Sequence, residues 1–269
     1  MDGEMTEKKP KIKVRALWKS YGKLQVLEGL DLDLYEGETI VILGRSGVGK
    51  SVLLKQIMGI EIPDKGTIEL DGENILNMAR REKQKAYMQM GMLFQGAALF
   101  DSMNVLENTS FYLKQHGDPR KQGPITNQEI KERAEEALKM VDLEGTEAKM
   151  PSDLSGGMRK RAGLARLIVY RPSVMLFDEP TTGLDPITAM QINKLIKKTQ
   201  RELKATSIVV THDIRSALEV GDRLALHHDG KIQHIAKAED FFQIDDPVIQ
   251  TFIQNAEVSK SMSGGHEAR

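Results

Sequence analysis

With 269 residues, the chain is long enough to bury one sizeable core with a smaller lobe attached, and too short for two large independent domains. Its 38 basic residues against 39 acidic ones leave no net charge that would draw it to nucleic acid. The lack of cysteine excludes a disulfide framework, a thiolate metal site and a cysteine nucleophile together, and suits a reducing cytoplasm.

Residues 1–13 are charged throughout and carry no apolar stretch of the kind a secretory signal needs. The chain is therefore expected to stay where it is made, and Asn108-Thr109-Ser110 is read as an accidental glycosylation sequon. From Lys11 onward short strands are expected, with alternation at Leu30-Asp31-Leu32-Asp33-Leu34 and a compact apolar run at Thr39–Leu43 that leads into glycines. Residues 50–59 have helical apolar spacing, end at Gly59 and are followed by Pro63 as a stop. Further strands are predicted at 67–70, 88–94, 174–177, 206–210 and 223–227, after which Asp229-Gly230 turns the chain into a last strand at 231–235. In the 88–94 segment, Met88, Met90 and Met92 alternate and read as one face of a core strand rather than as a sulfur cluster. His227 and His228, as strand neighbours, point to opposite faces and are not expected to share a metal.

Between residues 99 and 170 the pattern turns helical, most clearly at 127–141, where Ile130, Ala134, Ala137, Leu138 and Val141 share a face. With helices also predicted at 187–203 and 214–220, the chain reads as an α/β fold whose sheet is interrupted by a helical subdomain. Asp246-Pro247 reads as the cap and first position of an amphipathic helix bearing Val248, Ile249, Phe252 and Ile253, packed on its own core or on a partner subunit. Residues 258–269 are small and polar, and are expected to form a disordered tail. No run approaches the roughly 18 apolar residues of a membrane span, so the chain is not expected to cross a bilayer alone.

Three motifs carry chemistry. Gly44-Arg45-Ser46-Gly47-Val48-Gly49-Lys50-Ser51 has the form G-x-x-x-x-G-K-S between an apolar strand and a helix, where glycines turn backbone N–H groups toward phosphate oxygens and the helix dipole favours an anion. Lys50 is then expected on the β- and γ-phosphates and Ser51 on Mg2+. Val174 to Phe177 is an apolar strand ending in Asp178 and Glu179, which divide metal binding from general-base work at the carboxyl edge of a parallel sheet. Leu154-Ser155-Gly156-Gly157-Met158 can form a second anion-binding helix start, ahead of the basic run Arg159, Lys160, Arg161 and Arg166. Taken alone, that third stretch is an ordinary helix cap before a solvated basic face.

The order phosphate loop, Gln95, LSGG, Asp178-Glu179 and His212 resembles that of the ATP-binding cassette ATPases, over residues from about 11 to 235. The resemblance implies a P-loop nucleoside triphosphatase core (RecA-like) with a helical subdomain: a nucleotide-binding domain at 11–240 (core 11–98 and 171–240, helical part about 99–170), then a helical extension at 241–257. It implies ATP and Mg2+, and two copies paired head to tail so that Ser155, Gly156 and Gly157 of one cap the nucleotide held by the other. It further implies Tyr21 stacking on adenine, Gln95 linking Mg2+ and the attacking water to the transporter contact, Asp185 communicating across the dimer and His212 bonding the γ-phosphate. Each also has a plain alternative: Tyr21 a surface aromatic, Gln95 a polar strand end, Asp185 a helix cap before Pro186, His212 a satisfied histidine. The family's usual glutamine after LSGG is Met158 here, which offers no amide contact to the opposite nucleotide.

The stretch Met92-Leu93-Phe94-Gln95-Gly96-Ala97-Ala98-Leu99-Phe100, running on to Met103-Asn104-Val105, together with LSGGM, is similar to the ATPase of Mla-type transporters, which move phospholipid across the envelope of Gram-negative bacteria. That likeness implies integral membrane permease subunits as partners and a place on the cytoplasmic face of the inner membrane, held there by the partner. A cassette ATPase for another solute would carry the same catalytic motifs. DNA-repair and translation ATPases with this core usually carry a long coiled coil or two cassettes, and neither fits this chain.

Overall fold

The computed structural model describes residues 9–121 and 123–254. The expected tail at 258–269 and the first residues of the chain lie outside these. Strands β1 (Pro10–Tyr21), β2 (Leu24–Tyr35), β4 (Lys65–Leu70) and β5 (Glu73–Asn74) form an antiparallel sheet in the order β2-β1-β4-β5. Strands β3 (Thr39–Leu43), β6 (Met90–Leu93), β7 (Val174–Asp178), β8 (Thr206–Thr211), β9 (Arg223–His228) and β10 (Lys231–Lys237) form a second sheet in the order β10-β9-β3-β8-β7-β6. Its neighbours are parallel except for the β9–β10 hairpin, which turns on Asp229 and Gly230 at φ 47° and 71°.

Every residue of β3, β7 and β8 is buried, as expected of parallel strands covered on both faces. The strand period of two then divides the core. Ile40 and Ile42 face the antiparallel sheet and helix α1 (Lys50–Ile57), joining Leu53, Leu54, Ile12 and Leu32. Val41 and Leu43 face the other way, into one continuous cluster with Leu113 of α3 (Val105–His116), Ile130 of α4 (Asn127–Met140), Leu164 of α5 (Gly156–Ile168) and Ile196 of α6 (Pro186–Leu203). The helices of the 99–170 stretch therefore share their apolar core with one face of the parallel sheet.

Two expectations need correction. Met88 does not begin a strand; it ends α2 (Arg80–Met88), and β6 starts at Met90. In α2 only Ala86 is buried, so the helix has no apolar periodicity by which it could be found. Met90 is buried and Met92 partly so, but the three methionines do not share a strand. Residues 247–254 are helical as expected, with Asp246 accepting from the N–H of Val248 at 2.7 Å, and Ile249 is fully buried against the chain's own core. Among the described residues no helix is long and apolar enough to cross a membrane.

Candidate active site

The parallel register brings three strand ends to one level, since Leu43 pairs with Thr211 and Asp178 with Val210. The loops leaving β3, β7 and β8 thus converge at the carboxyl edge of the sheet, where open α/β folds hold ligands. Gly44 to Gly49 follow β3. A Cβ on Gly44 would come within 2.8 Å of the main-chain oxygen of His227, and one on Gly49, at φ 105°, within 2.5 Å of Val26. Arg45, Ser46 and Gly47 are exposed, Val48 is half-buried, and Lys50 is buried.

Helix α1 starts at this loop with no side-chain cap and no acidic residue in its first turn, so its leading N–H groups are left for an anion. Lys50 Nζ donates to the main-chain oxygens of Gly44 at 2.8 Å and Arg45 at 2.9 Å, and lies 3.4 Å from Glu179 Oε1. Burial pushes the Lys50 pKa down, while Glu179 and Asp178 oppose that shift. Beside it, the Ser51 hydroxyl donates to Asp178 Oδ1 at 2.7 Å, joining residues 127 apart in sequence. Hydroxyl and carboxylate make a hard-oxygen pair suited to Mg2+, which is bound by few protein ligands and completes its shell with phosphate and water.

Glu179 is buried, and its backbone sits at φ 46°. Its Oε2 accepts from Thr182 Oγ1 at 3.0 Å and meets His212 Nδ1 at 2.9 Å. Burial raises the Glu179 pKa, but His212, Lys50 and Thr182 together outweigh it and hold the carboxyl below its usual range; the same bond to Glu179 raises His212. The result is an ionised carboxylate in a nearly dry place, able to take a proton once a water is aligned on it.

Two bonded sets thus stand side by side, Lys50 and His212 on Glu179 and Ser51 on Asp178, through residues adjacent in the chain. Thr182 belongs to the Glu179 set and was missed, because a threonine three residues past a carboxylate carries no signal of its own. Lys160 was missed as well: counted in a solvated basic face, it is buried, and it donates to the main-chain oxygens of Gln95 and Glu179.

The other candidates stand apart. Gln95 is exposed, just after β6. Tyr21, 46% exposed at the end of β1, bonds Glu61 through its hydroxyl, which pushes its pKa up to about 12 and leaves the ring outside the core. Asp185 caps α6, accepting from the N–H groups of Ile187 and Thr188, both at 3.0 Å. Ser155 caps α5, accepting from Met158 N–H at 3.3 Å, with Gly156 against Leu184 and Gly157 against Thr188. That second helix start faces its own α6 region, and among the described residues no hydrogen bond ties it to the phosphate loop.

A phosphate loop, a hard-oxygen pair for Mg2+ and an ionised base at one sheet edge define a nucleoside triphosphatase. Residues 27–182 match the family model described as "ABC transporter". The chain is 37% identical over 247 residues to the probable ribonucleotide transport ATP-binding protein mkl of Mycobacterium leprae, spanning 92% of this chain and 70% of that one. It is 35% identical to the methionine import ATP-binding protein MetN of Clostridium tetani, spanning 92% and 76%. Among solved structures, a dimeric post-hydrolysis state of the ATP-binding cassette MJ0796 bound to ADP and Pi superposes with a TM-score of 0.76 at 32% identity, covering 84% of this chain and 98% of that one. The chain belongs to the ABC transporter family and is an ATPase that uses ATP with Mg2+.

Proposed function

We propose that the chain is the ATP-hydrolysing subunit of a transporter that moves phospholipid across the bacterial envelope. It would work as a head-to-tail pair on the cytoplasmic face of the inner membrane, seated there by integral membrane permease subunits. The observation carrying the lipid assignment is the run from Met92 to Val105 together with Met158 after LSGG. In the fold this run leads from the end of β6 to the start of α3 and borders a surface groove lined by Met92, Phe100, Phe111, Tyr112, Arg166 and Tyr170, a mainly apolar seat for a permease segment.

In this reading the 11–240 unit is the nucleotide-binding domain, with its helical part from about 99 to 170 carrying that groove. Gly44 to Ser51 hold the phosphates, with Lys50 transferring its ion pair from Glu179 to the nucleotide. Ser51, Asp178 and Gln95 hold Mg2+, which when bound neutralises phosphate charge. Glu179 takes the proton of the attacking water, while His212 keeps Nδ1 on Glu179 and offers its other nitrogen to the γ-phosphate. Tyr21 offers its ring to adenine. Ser155, Gly156 and Gly157 cap the nucleotide of the second copy, and Asp185 lies at the start of α6 where Gly157 also packs, a location suited to signalling across the pair.

Relatives named for ribonucleotide and methionine transport favour a second reading, a cassette for another solute. Purification of the full chain from host membranes separates the two. Recovery with a permease and a lipid-binding partner is the expected result; recovery with a solute-specific permease and no lipid-binding partner overturns the phospholipid assignment.

A further inference from the structure

The cations of α5 read in sequence as a solvated basic face; in the structure Arg159 is exposed, whereas Arg161 and Arg166 are half-buried and Lys160 is buried. Arg159 donates to Leu154 O at 3.0 Å, and Arg161 to Val141 O at 3.1 Å and Gln191 Oε1 at 2.8 Å. Arg166 donates to the main-chain oxygens of Ala98 at 2.6 Å and Ala97 at 3.0 Å. Lys160, only 5% exposed, donates to the main-chain oxygen of Gln95 and, at 3.4 Å, to that of Glu179. Two cations of one helix therefore hold the loop after β6, and one of them also holds the backbone of the base.

Both ends of this bridge are backbone that non-glycine residues seldom adopt: Ala97 and Ala98 lie at φ 60° and 49°, and Glu179 at φ 46°. Such conformations persist only where their surroundings over-determine them. An ammonium supplies three donors and no acceptor, so buried among carbonyls it suits this task, and bonds from a charged donor are stronger than neutral ones. Burial pushes the Lys160 pKa down, and the carboxylates of Asp178 and Glu179 oppose that shift. Lys160 also lies five residues beyond Ser155 on the same helix.

We propose that Lys160 is a positioning residue that ties the Gln95 loop to the backbone of Glu179 through α5, so that a displacement of that loop or of the Ser155 end of the helix is passed to the base. The loop that borders the permease groove and the helix start that meets the second nucleotide then act on Glu179 through one side chain. The inference rests on Glu179 being the base, and its test keeps the two apart.

Lys160→Met retains the length and apolar stem of the side chain but removes its donors and charge, and Lys160→Arg restores both. ATP turnover, KM for ATP and melting temperature are measured on the full chain, with Glu179→Gln alongside. Lys160→Met is expected to lower kcat about tenfold while KM stays within about twofold, with most of kcat recovered in Lys160→Arg. Its melting temperature is expected to stay within about 3 °C of the parent. An unchanged kcat in Lys160→Met overturns the proposal. So does a loss of kcat that follows a fall in melting temperature or that Lys160→Arg does not recover, since packing rather than position would then have been removed. Wild-type turnover in Glu179→Gln would instead overturn the assignment of the base, whatever Lys160 does.

Discussion

Burial pushes the Lys50 pKa down, and Glu179 at 3.4 Å opposes that shift. A nucleotide offers Lys50 a stronger anion than one carboxylate, so its charge is spent mainly on phosphate. Lys50→Ala is expected to weaken ATP affinity by about tenfold or more, each tenfold being about 1.4 kcal/mol, as titration would measure. Undiminished affinity would count against the phosphate-loop assignment. Glu179→Gln keeps the shape of the side chain but not its basicity, so binding is expected to persist while turnover falls by roughly a hundredfold or more.

His227 behaves differently. It is 1% exposed, neither ring nitrogen has a hydrogen-bond partner among the described residues, and burial together with the nearby Lys50 charge pushes its pKa down from 6.5 to about 4. Between those two values the unfolded chain binds a proton that the folded chain refuses, so stability falls as pH drops through that window, by roughly 3 kcal/mol at its foot. His227→Leu removes the titrating group and the two unpaired atoms. It is expected to match or exceed wild-type stability at neutral pH and to lose less of it on acidification; urea midpoints at several pH values that run parallel for the two proteins would contradict this.

At the scale of elements, Asn108 carries more than its place in an accidental sequon implied. It is fully buried in α3, accepts from Phe100 N–H at 2.8 Å, and donates to the main-chain oxygens of Phe100, Met103 and Asn104 at 3.1, 2.8 and 3.1 Å. One amide thus holds the loop between β6 and α3, and Asn108→Ala would take the partners of Phe100 N–H and the Met103 oxygen, while the oxygens of Phe100 and Asn104 keep main-chain donors. A loss of about 2–3 kcal/mol in urea unfolding is expected. The sequence could not disclose this, because a buried asparagine and an exposed one are written alike. The same limit hid α2, whose nine residues bury only Ala86, and the partners of Lys160, which lie 65 and 19 residues away along the chain. What was legible was local: Gly44 to Ser51, Asp178-Glu179 and Ser155 to Gly157 are each a motif within one turn, and the buried strands β3 and β7 announce themselves by four successive apolar residues each. The helix opened by Asp246-Pro247 was legible for the same reason, since cap and first turn are adjacent; that it buries Ile249 against its own core was not.

For the whole molecule, the separation between the helix starts at Lys50 and Ser155 is the central fact. The start of α1 bonds the end of β7, Lys50 to Glu179 and Ser51 to Asp178, whereas Ser155 caps α5 against the α6 region. If each start serves a different nucleotide, one copy holds half of two sites, and damage to either half can be placed on different copies. Lys50→Ala removes the phosphate cation, and Ser155→Arg obstructs the cap offered to the second copy; each alone leaves no complete site in a symmetric pair. Mixing the two variants makes mixed pairs in which the Lys50 of one copy faces the Ser155 of the other. With random pairing, half the dimers are mixed and each has one intact site of two, so turnover on mixing is expected to recover to about a quarter of the wild-type rate. Turnover should also fall per chain on dilution through the dimer dissociation constant. If Ser155→Arg alone hydrolyses ATP at the wild-type rate and dilution has no effect, the active site is self-contained and the shared arrangement is wrong.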